Sequence, residues 1–353
     1  MAKKKFVFNK QLLIPLAALL ALIIFNLIND PSFFQISMGK NSEGNSVLSG
    51  NLISIIDFGS ELAILAIGMT LVTAASGGQD ISVGAAIAIA ASVIMRLIRG
   101  TELSPEKVHV PVIVAFLVAC IVAMFFGAFN GLLVAYFRVQ PMVATLILFT
   151  AGRHISAWIN NNENCNIKDP SFKYYGGFIP GIPIPTPFFI AMLCIIIIML
   201  VLKFTTLGLY IQSVGINENS SKLNGINPRL VKFITFVILG LCVAVCGLIK
   251  LSRSTTLSYS GMAKDIEMDA ILAVALGGNS LGGGRFSMLG SILGAYVIQF
   301  LTTTLYKMEV SSSALPAYKA IVVILLVVLS SPVVREKLAM LKTRLTPAKK
   351  EVA

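Results

Sequence analysis

The chain has 353 residues, 56% of them apolar and only 12% charged, whereas soluble domains carry about 25% charged and 45–50% apolar residues. That balance excludes a water-soluble globular protein and points to lipid as the solvent. The net charge of +12 does not indicate a nucleic-acid binder, because the basic residues sit at the chain ends and between apolar runs and form no single groove.

Lys3, Lys4 and Lys5 precede a first apolar run in the manner of a secretory leader. The run is as long as a membrane span and no A-x-A-like site follows it, so it reads as a retained first helix. A bilayer core about 30 Å thick takes roughly 20 residues of helix. By that ruler spans are predicted at 12–28, 54–76, 84–98, 110–137, 141–159, 186–203, 229–251, 269–282, 286–306 and 316–333. The fold class expected is therefore all-α, a polytopic transmembrane helix bundle of about ten spans, with residues 1–353 forming a single transmembrane domain and no soluble one.

An even number of spans puts both termini on one side, and Lys and Arg concentrate in cytoplasmic segments. Lys3, Lys4, Lys5 and Lys10 at the start, and Arg335, Lys337, Lys342, Arg344, Lys349 and Lys350 at the end, make both termini cytoplasmic. The same parity places Arg138 inside, together with the 204–228 segment and its Lys203, Lys222, Arg229 and Lys232. On the outer side, residues 160–185 have an Asn-rich start and a Pro/Gly-rich tail, and are longer than a simple connection needs. They read either as a docking surface or as a passive loop.

Five cysteines follow no C-x-x-C spacing. Cys120, Cys194, Cys242 and Cys246 fall in apolar runs, where a thiol behaves as a small hydrophobe, and Cys165 alone reads as solvent-facing. Neither a disulfide framework nor a metal site is indicated.

Two apolar stretches are interrupted by glycine pairs with polar residues behind them: Gly77-Gly78-Gln79-Asp80 and Gly277-Gly278-Asn279-Ser280. Broken helices at membrane depth persist where they line a cavity or are buried in protein, so each is either a piece of a transport path or a tight turn. Both breaks fall toward the cytoplasmic side, which does not support an inverted repeat. Asp80 is expected to cap the helix that follows it rather than to touch a substrate. Gly127 and Gly131, with Asn130 between them, and Gly290 and Gly294 have G-x-x-x-G spacing for close helix packing, with Asn130 the one polar group suited to a pathway. The candidate pathway residues are thus Gly77, Gly78, Asp80, Asn130, Gly277, Gly278 and Asn279. Arg153 and His154 are assigned no function.

Uphill transport needs an energy source, and none is visible in the chain. No G-x-x-x-x-G-K-[ST] phosphate loop occurs, and apart from Asp57, Glu61 and Asp80 the spans carry almost no carboxylate for an ion relay. His109 and His154 form no triad or metal set, so the chain is read as a transport subunit with no catalytic residues, no metal and no cofactor of its own. The engine is expected on another chain.

Several motifs together resemble ribose/galactose-type ABC importer permeases over most of the chain. They are Gly68-Met69-Thr70, Gly77 to Ala85, Asn130-Gly131, Gln140 to Leu146, Glu267 to Ala273 and Gly277 to Phe286. The Ala-Thr-Leu-Ile-Leu and Gly-Gly-Arg-Phe segments are most similar to permeases that carry galactofuranose. The resemblance implies a bacterial inner-membrane subunit that takes up a monosaccharide delivered by an extracytoplasmic binding protein. It also implies a second permease copy or a homologous permease beside it, and an ATPase partner that binds ATP and Mg. Finally it implies that 204–228 forms a short coupling helix seated in a cleft of that ATPase, carried by Gly208, Ser213, Gly215, Asn217 and Gly225. Ser213-Val214-Gly215 and Ser220-Ser221 stand where the family often has Ala-Val-Gly and Ala-Ala. Alternatives left open are an importer for nucleosides or another small polar solute, and a secondary transporter or channel.

Overall fold

The computed structural model describes residues 12–40 and 45–330; the terminal basic residues that bear on orientation lie outside them. The described residues form α1 (Leu13–Asn29), α2 (Asn51–Ser76), α3 (Val83–Arg99), α4 (Val112–Ala135), α5 (Pro141–Ile159), α6 (Thr186–Phe204), α7 (Leu207–Ile216), α8 (Glu218–Leu223), α9 (Pro228–Ser254), α10 (Ile266–Leu276), α11 (Met288–Lys307) and α12 (Leu315–Ser330). Two small antiparallel pairs complete them: β1 (Ser37–Lys40) with β2 (Ser46–Ser49), and β3 (Cys165–Asn166) with β4 (Thr256–Leu257).

Six helices, α2, α4, α5, α6, α9 and α11, are long and apolar enough to cross a membrane. Four others, α1, α3, α10 and α12, stand where shorter spans are predicted. At 1.5 Å per residue, the 11 residues of α10 reach only about half of a 30 Å core.

Local chemistry sets the ends. α2 stops at Gly77, whose φ of 68° is a left-handed conformation free of penalty for glycine. Pro141 and Pro228 start α5 and α9 at the position where proline's missing N–H is harmless, and the Asn227 side chain accepts the N–H groups of Arg229 and Leu230. Ser287 caps α11 by accepting the Gly290 N–H.

α2 and α9 form the buried centre and run antiparallel, with Gly68 of α2 against Leu239 and Cys242 of α9. α4 packs antiparallel on α9, where Gly127 faces the Phe236 carbonyl and Gly240 faces Ala123. α11 packs antiparallel on α2, where Gly59 meets the Tyr296 ring and Thr70 Oγ1 lies 2.6 Å from Ser291 Oγ. α3 packs on α4, α5 and α9, while α10 packs on α11, α12 and α2. Exchanging α2–α5 for α9–α12 therefore reproduces the same set of packed pairs with the chain direction reversed. This is an inverted repeat, and it corrects the sequence reading. That reading paired Gly77-Gly78 with Gly277-Gly278, whereas the counterpart of the α2–α3 break is the 255–265 connection between α9 and α10. The N-terminal ends of α3 and α10 meet, with Gly84 against the Ala263 carbonyl and the Glu267 side chain.

The 160–185 segment is tied down. Phe172 is fully buried, Ser252 Oγ of α9 donates to the Phe172 carbonyl, and the Gly176 N–H donates to Ser252 Oγ. Asp169 accepts from the backbone and side chain of Ser171 and from the Val108 N–H. Partial burial pushes this carboxyl up, but those hydrogen bonds outweigh it and hold the group below its ordinary value. Cys165, read from sequence as solvent-facing, is fully buried: its strand β3 pairs with β4 and its side chain joins the main apolar core.

The close approach of α4 to α9 is testable. A Cβ at Gly240 would stand 2.5 Å from the Ala123 carbonyl oxygen, so Gly240→Leu is expected to cost about 1–3 kcal/mol through overpacking, read as a lower melting temperature in detergent.

Candidate functional site

The two glycine breaks and the α7 loop helix meet in one junction at the end of the bundle where α2 finishes. Gly77 lies against the Gly282 carbonyl, Gln79 Nε2 donates to the Leu281 carbonyl at 3.1 Å, and the Gly284 N–H donates to the Ala74 carbonyl at 2.9 Å. Gly215, near the end of α7, fits against the same place. A Cβ there would overlap the Ala74 carbonyl oxygen and come 2.5 Å from the Gly284 nitrogen. Only a glycine lets α7 touch both breaks at once.

Within the first break, Asp80 Oδ1 accepts the Ser82 N–H and hydroxyl at 2.8 and 2.6 Å, and Asn130 Nδ2 donates to Asp80 Oδ2 at 3.2 Å and to Ser82 Oγ at 2.9 Å. Asp80 thus closes a turn just ahead of α3 rather than taking N–H groups of the helix itself, since Ser82 intervenes. The Ile81 N–H is taken by Thr145 Oγ1 of α5 at 3.1 Å. Asp80 and Asn130 are both buried; their side chains bond each other and Ser82, and Asn130 Oδ1 has no partner among the described residues. Gly78 presses on the Pro141 ring.

In the second break, Gly277 lies against the Gly290 backbone and Gly278 has φ of 78°. Asn279 Oδ1 accepts the Ser287 N–H at 2.6 Å and its Nδ2 donates to Ser291 Oγ at 2.7 Å, tying the end of α10 to the start of α11.

Of the coupling candidates, Gly215 is the one held in a tight contact. Asn217 ends α7 and caps α8 by accepting the Ser220 N–H at 3.0 Å. Gly225, with φ of 80°, borders a cavity of about 440 Å3 lined also by Arg138, Lys222 and Arg229. A Cβ at Gly208 would meet Leu202 at ordinary van der Waals distance, and Ser213 supplies a helical carbonyl to Asn217. Sequence reasoning missed what surrounds them: Leu209, Ile216 and Leu223, the last 89% exposed, present apolar side chains on α7 and α8.

Sequence reasoning also missed a polar cavity of about 690 Å3 at the opposite end, between the start of α2 and the ends of α9 and α11. Glu61 of α2 lies on its wall, 3% exposed. Its Oε1 accepts from Lys250 at 2.9 Å and pairs with Arg253 at 3.2 Å, while Oε2 has no partner. Arg253 also binds Asp57 at 2.8 Å and stacks 4.2 Å from the Phe58 ring centroid. Across the cavity, Lys319 of α12 holds Asp269 of α10 at 2.7 Å. Asp57 and Glu61 stand four residues apart on one helix face, but their cationic partners lie nearly two hundred positions away in sequence, where no local pattern shows them. Among the described residues, every ion pair except Lys232–Glu218 lies toward this end of the bundle. Arg153, unassigned from sequence, donates to the carbonyls of Ser260 and Met262 and pins the segment leading into α10.

With a bundle of membrane-length helices, helix breaks at one end and a polar cavity at the other, the architecture is that of a transport path. A family model described as branched-chain amino acid transport system / permease component matches residues 51–331. The chain belongs to this permease family. It is similar to the fructose import permease of Bifidobacterium longum, 33% identical over 93% of this chain and 90% of that protein. It is also similar to the galactofuranose transporter permease of Escherichia coli, 36% identical over 90% of this chain and 88% of that one. The ribose import permease of Escherichia coli is 32% identical over 90% of this chain and 92% of that one. No solved structure matches the chain at a significant level. Among the described residues of this permease, no group of three His, Cys, Asp or Glu side chains could hold a metal ion.

Replacing Asp80 by Ala strips the acceptor from the Ser82 and Asn130 donors. Hydrogen bonds to a charged group are worth about 1.5–3 kcal/mol, and a loss of that order is expected in a detergent melt. Asp80→Asn, which keeps an oxygen for the Ser82 N–H, loses less.

Proposed function

We propose that this permease is the membrane subunit of an ATP-driven importer that receives a monosaccharide from an extracytoplasmic binding protein and releases it inward. ATP and Mg bind on a separate ATPase. The observation that carries the reading is the junction of Gly215 with Ala74 and Gly284: a force applied to the exposed loop helices α7 and α8 reaches both helix breaks through backbone contact, with no flexible side chain between. The sugar named for each of the three relatives supports the cargo class.

In this reading α1–α6 and α9–α12 are ten spans, and both termini and the α7–α8 segment are cytoplasmic in a bacterial inner membrane. Arg138, Lys203, Lys222 and Arg229 cluster at the α7–α8 end, and Lys and Arg concentrate in cytoplasmic segments. The whole chain is one permease domain that works beside a second permease, identical or homologous. The ATPase cleft receives Leu209, Ile216 and Leu223 together with the 204–228 backbone shaped by Gly208, Ser213, Gly215, Asn217 and Gly225. Gly77, Gly78, Gly277 and Gly278 are the joints that let the inner end of the path change shape. Asp80, Asn130 and Asn279 hold those joints together rather than grip the cargo. ATP binding or a loaded binding protein shifts the population between outward- and inward-open arrangements.

A second reading keeps the mechanism but changes the cargo to a branched-chain amino acid or another small polar solute, and the family description favours it. Vesicles carrying the permease with its ATPase and binding protein separate the two. Labelled ribose, fructose or galactose is expected to accumulate with ATP, and labelled leucine is not; the reverse pattern sinks the sugar reading.

Gly215→Val is expected to leave the permease in the membrane and lower binding-protein-stimulated ATP hydrolysis at least tenfold. Unchanged stimulation removes α7 from the coupling role. A cysteine at Asn217 is expected to react with an impermeant thiol reagent only in inside-out vesicles.

A further inference from the structure

The cavity near the start of α2 has three properties that together define a ligand. Its volume of about 690 Å3 falls within the roughly 300–1,000 Å3 usual for small-molecule sites. Its charges are already matched: Glu61 by Lys250, Asp269 by Lys319, and Lys307 by Asp30 outside the wall at 3.3 Å. That leaves Lys264 as the one lining cation without an ion pair among the described residues. A cationic solute would have to break one of those pairs, whereas a neutral one need not. The remaining wall is rich in hydrogen-bonding groups that are not ionised, Asn51, Ser54, Gln299, Thr302 and Thr303, with the Tyr306 ring beside them.

We propose that this cavity binds a neutral, polyhydroxylated sugar ring on its way through the permease, with Gln299 and Thr303 as hydrogen-bonding residues. The proposal rests on the sugar-import reading above and adds where in the chain the sugar is held. A second cavity of about 680 Å3 shares Lys264, Asp269, Thr302, Tyr306 and Lys319 with the first and runs along α10 and α12. It provides the continuation of the route, and the Asp269–Lys319 pair lies where the two join.

The test uses the complete transporter in vesicles, with its ATPase and binding protein, and labelled D-ribose, D-fructose, D-galactose and D-galacturonate. The neutral sugar that accumulates in wild type serves as the probe. Gln299→Ala and Thr303→Ala are each expected to lower the number of sugar molecules moved per ATP hydrolysed at least fivefold, a ratio that a merely unstable permease would not change. A ratio within twofold of wild type in both variants overturns this site while leaving the sugar reading intact. Accumulation of no neutral sugar overturns both, and accumulation of galacturonate alone overturns the neutral-ligand assignment. An independent measurement uses Gln299→Cys with an impermeant methanethiosulfonate, taking wild type as the background. Modification from the outer side, slowed at least fivefold by millimolar sugar, is expected; a residue that is unreactive, or reacts equally fast with sugar present, overturns the site.

Discussion

Backbone that leaves the helical path inside a bilayer has to find every hydrogen bond within the protein, and the rest of this permease is arranged around meeting that demand at two places. The first break is satisfied by Asp80, Asn130 and Thr145 from three different segments. The second is satisfied by Asn279, which serves both α10 and α11. The carbonyl of Ala74, at the last turn of α2, takes the Gly284 N–H, so the two breaks complete each other. Neither could be exposed to lipid, and neither could be moved without its partner responding.

That mutual dependence explains the glycines. Gly77, Gly278 and Gly284 have positive φ, while Gly215 is needed for the space it leaves. A loop helix that would otherwise ride on side chains touches backbone on both broken segments. Backbone contacts are stiff and transmit displacement, and this makes the α7 contact suited to coupling while the adjoining apolar residues of α7 and α8 remain free for a partner.

The other end of the permease solves a different problem. Ionisable residues line a cavity there, and the ion pairs on its wall join helices: α2 to α9 through Glu61, and α10 to α12 through Asp269. Partly buried ion pairs add little net stability because desolvation offsets their attraction. Their value here lies in keeping a polar space open between apolar helices with its charge balanced.

The positions of the apolar helices were readable from sequence, because lipid demands long apolar runs and Pro141, Pro228 and Gly77 mark their ends by local chemistry. So were the two breaks and the 204–228 segment, since glycine pairs followed by polar residues stand out against such runs. The meeting of Gly215 with Ala74 and Gly284 was not readable, nor were the pairing of Glu61 with Lys250, the burial of Cys165 or the inverted repeat of α2–α5 and α9–α12. Each depends on which helix faces which, and in a bundle whose surfaces are nearly all apolar the residue pattern carries little information about neighbours. Membrane residence and helix placement therefore belong to the one-dimensional chain. The junction and the cavity exist only once packing brings together residues more than two hundred positions apart.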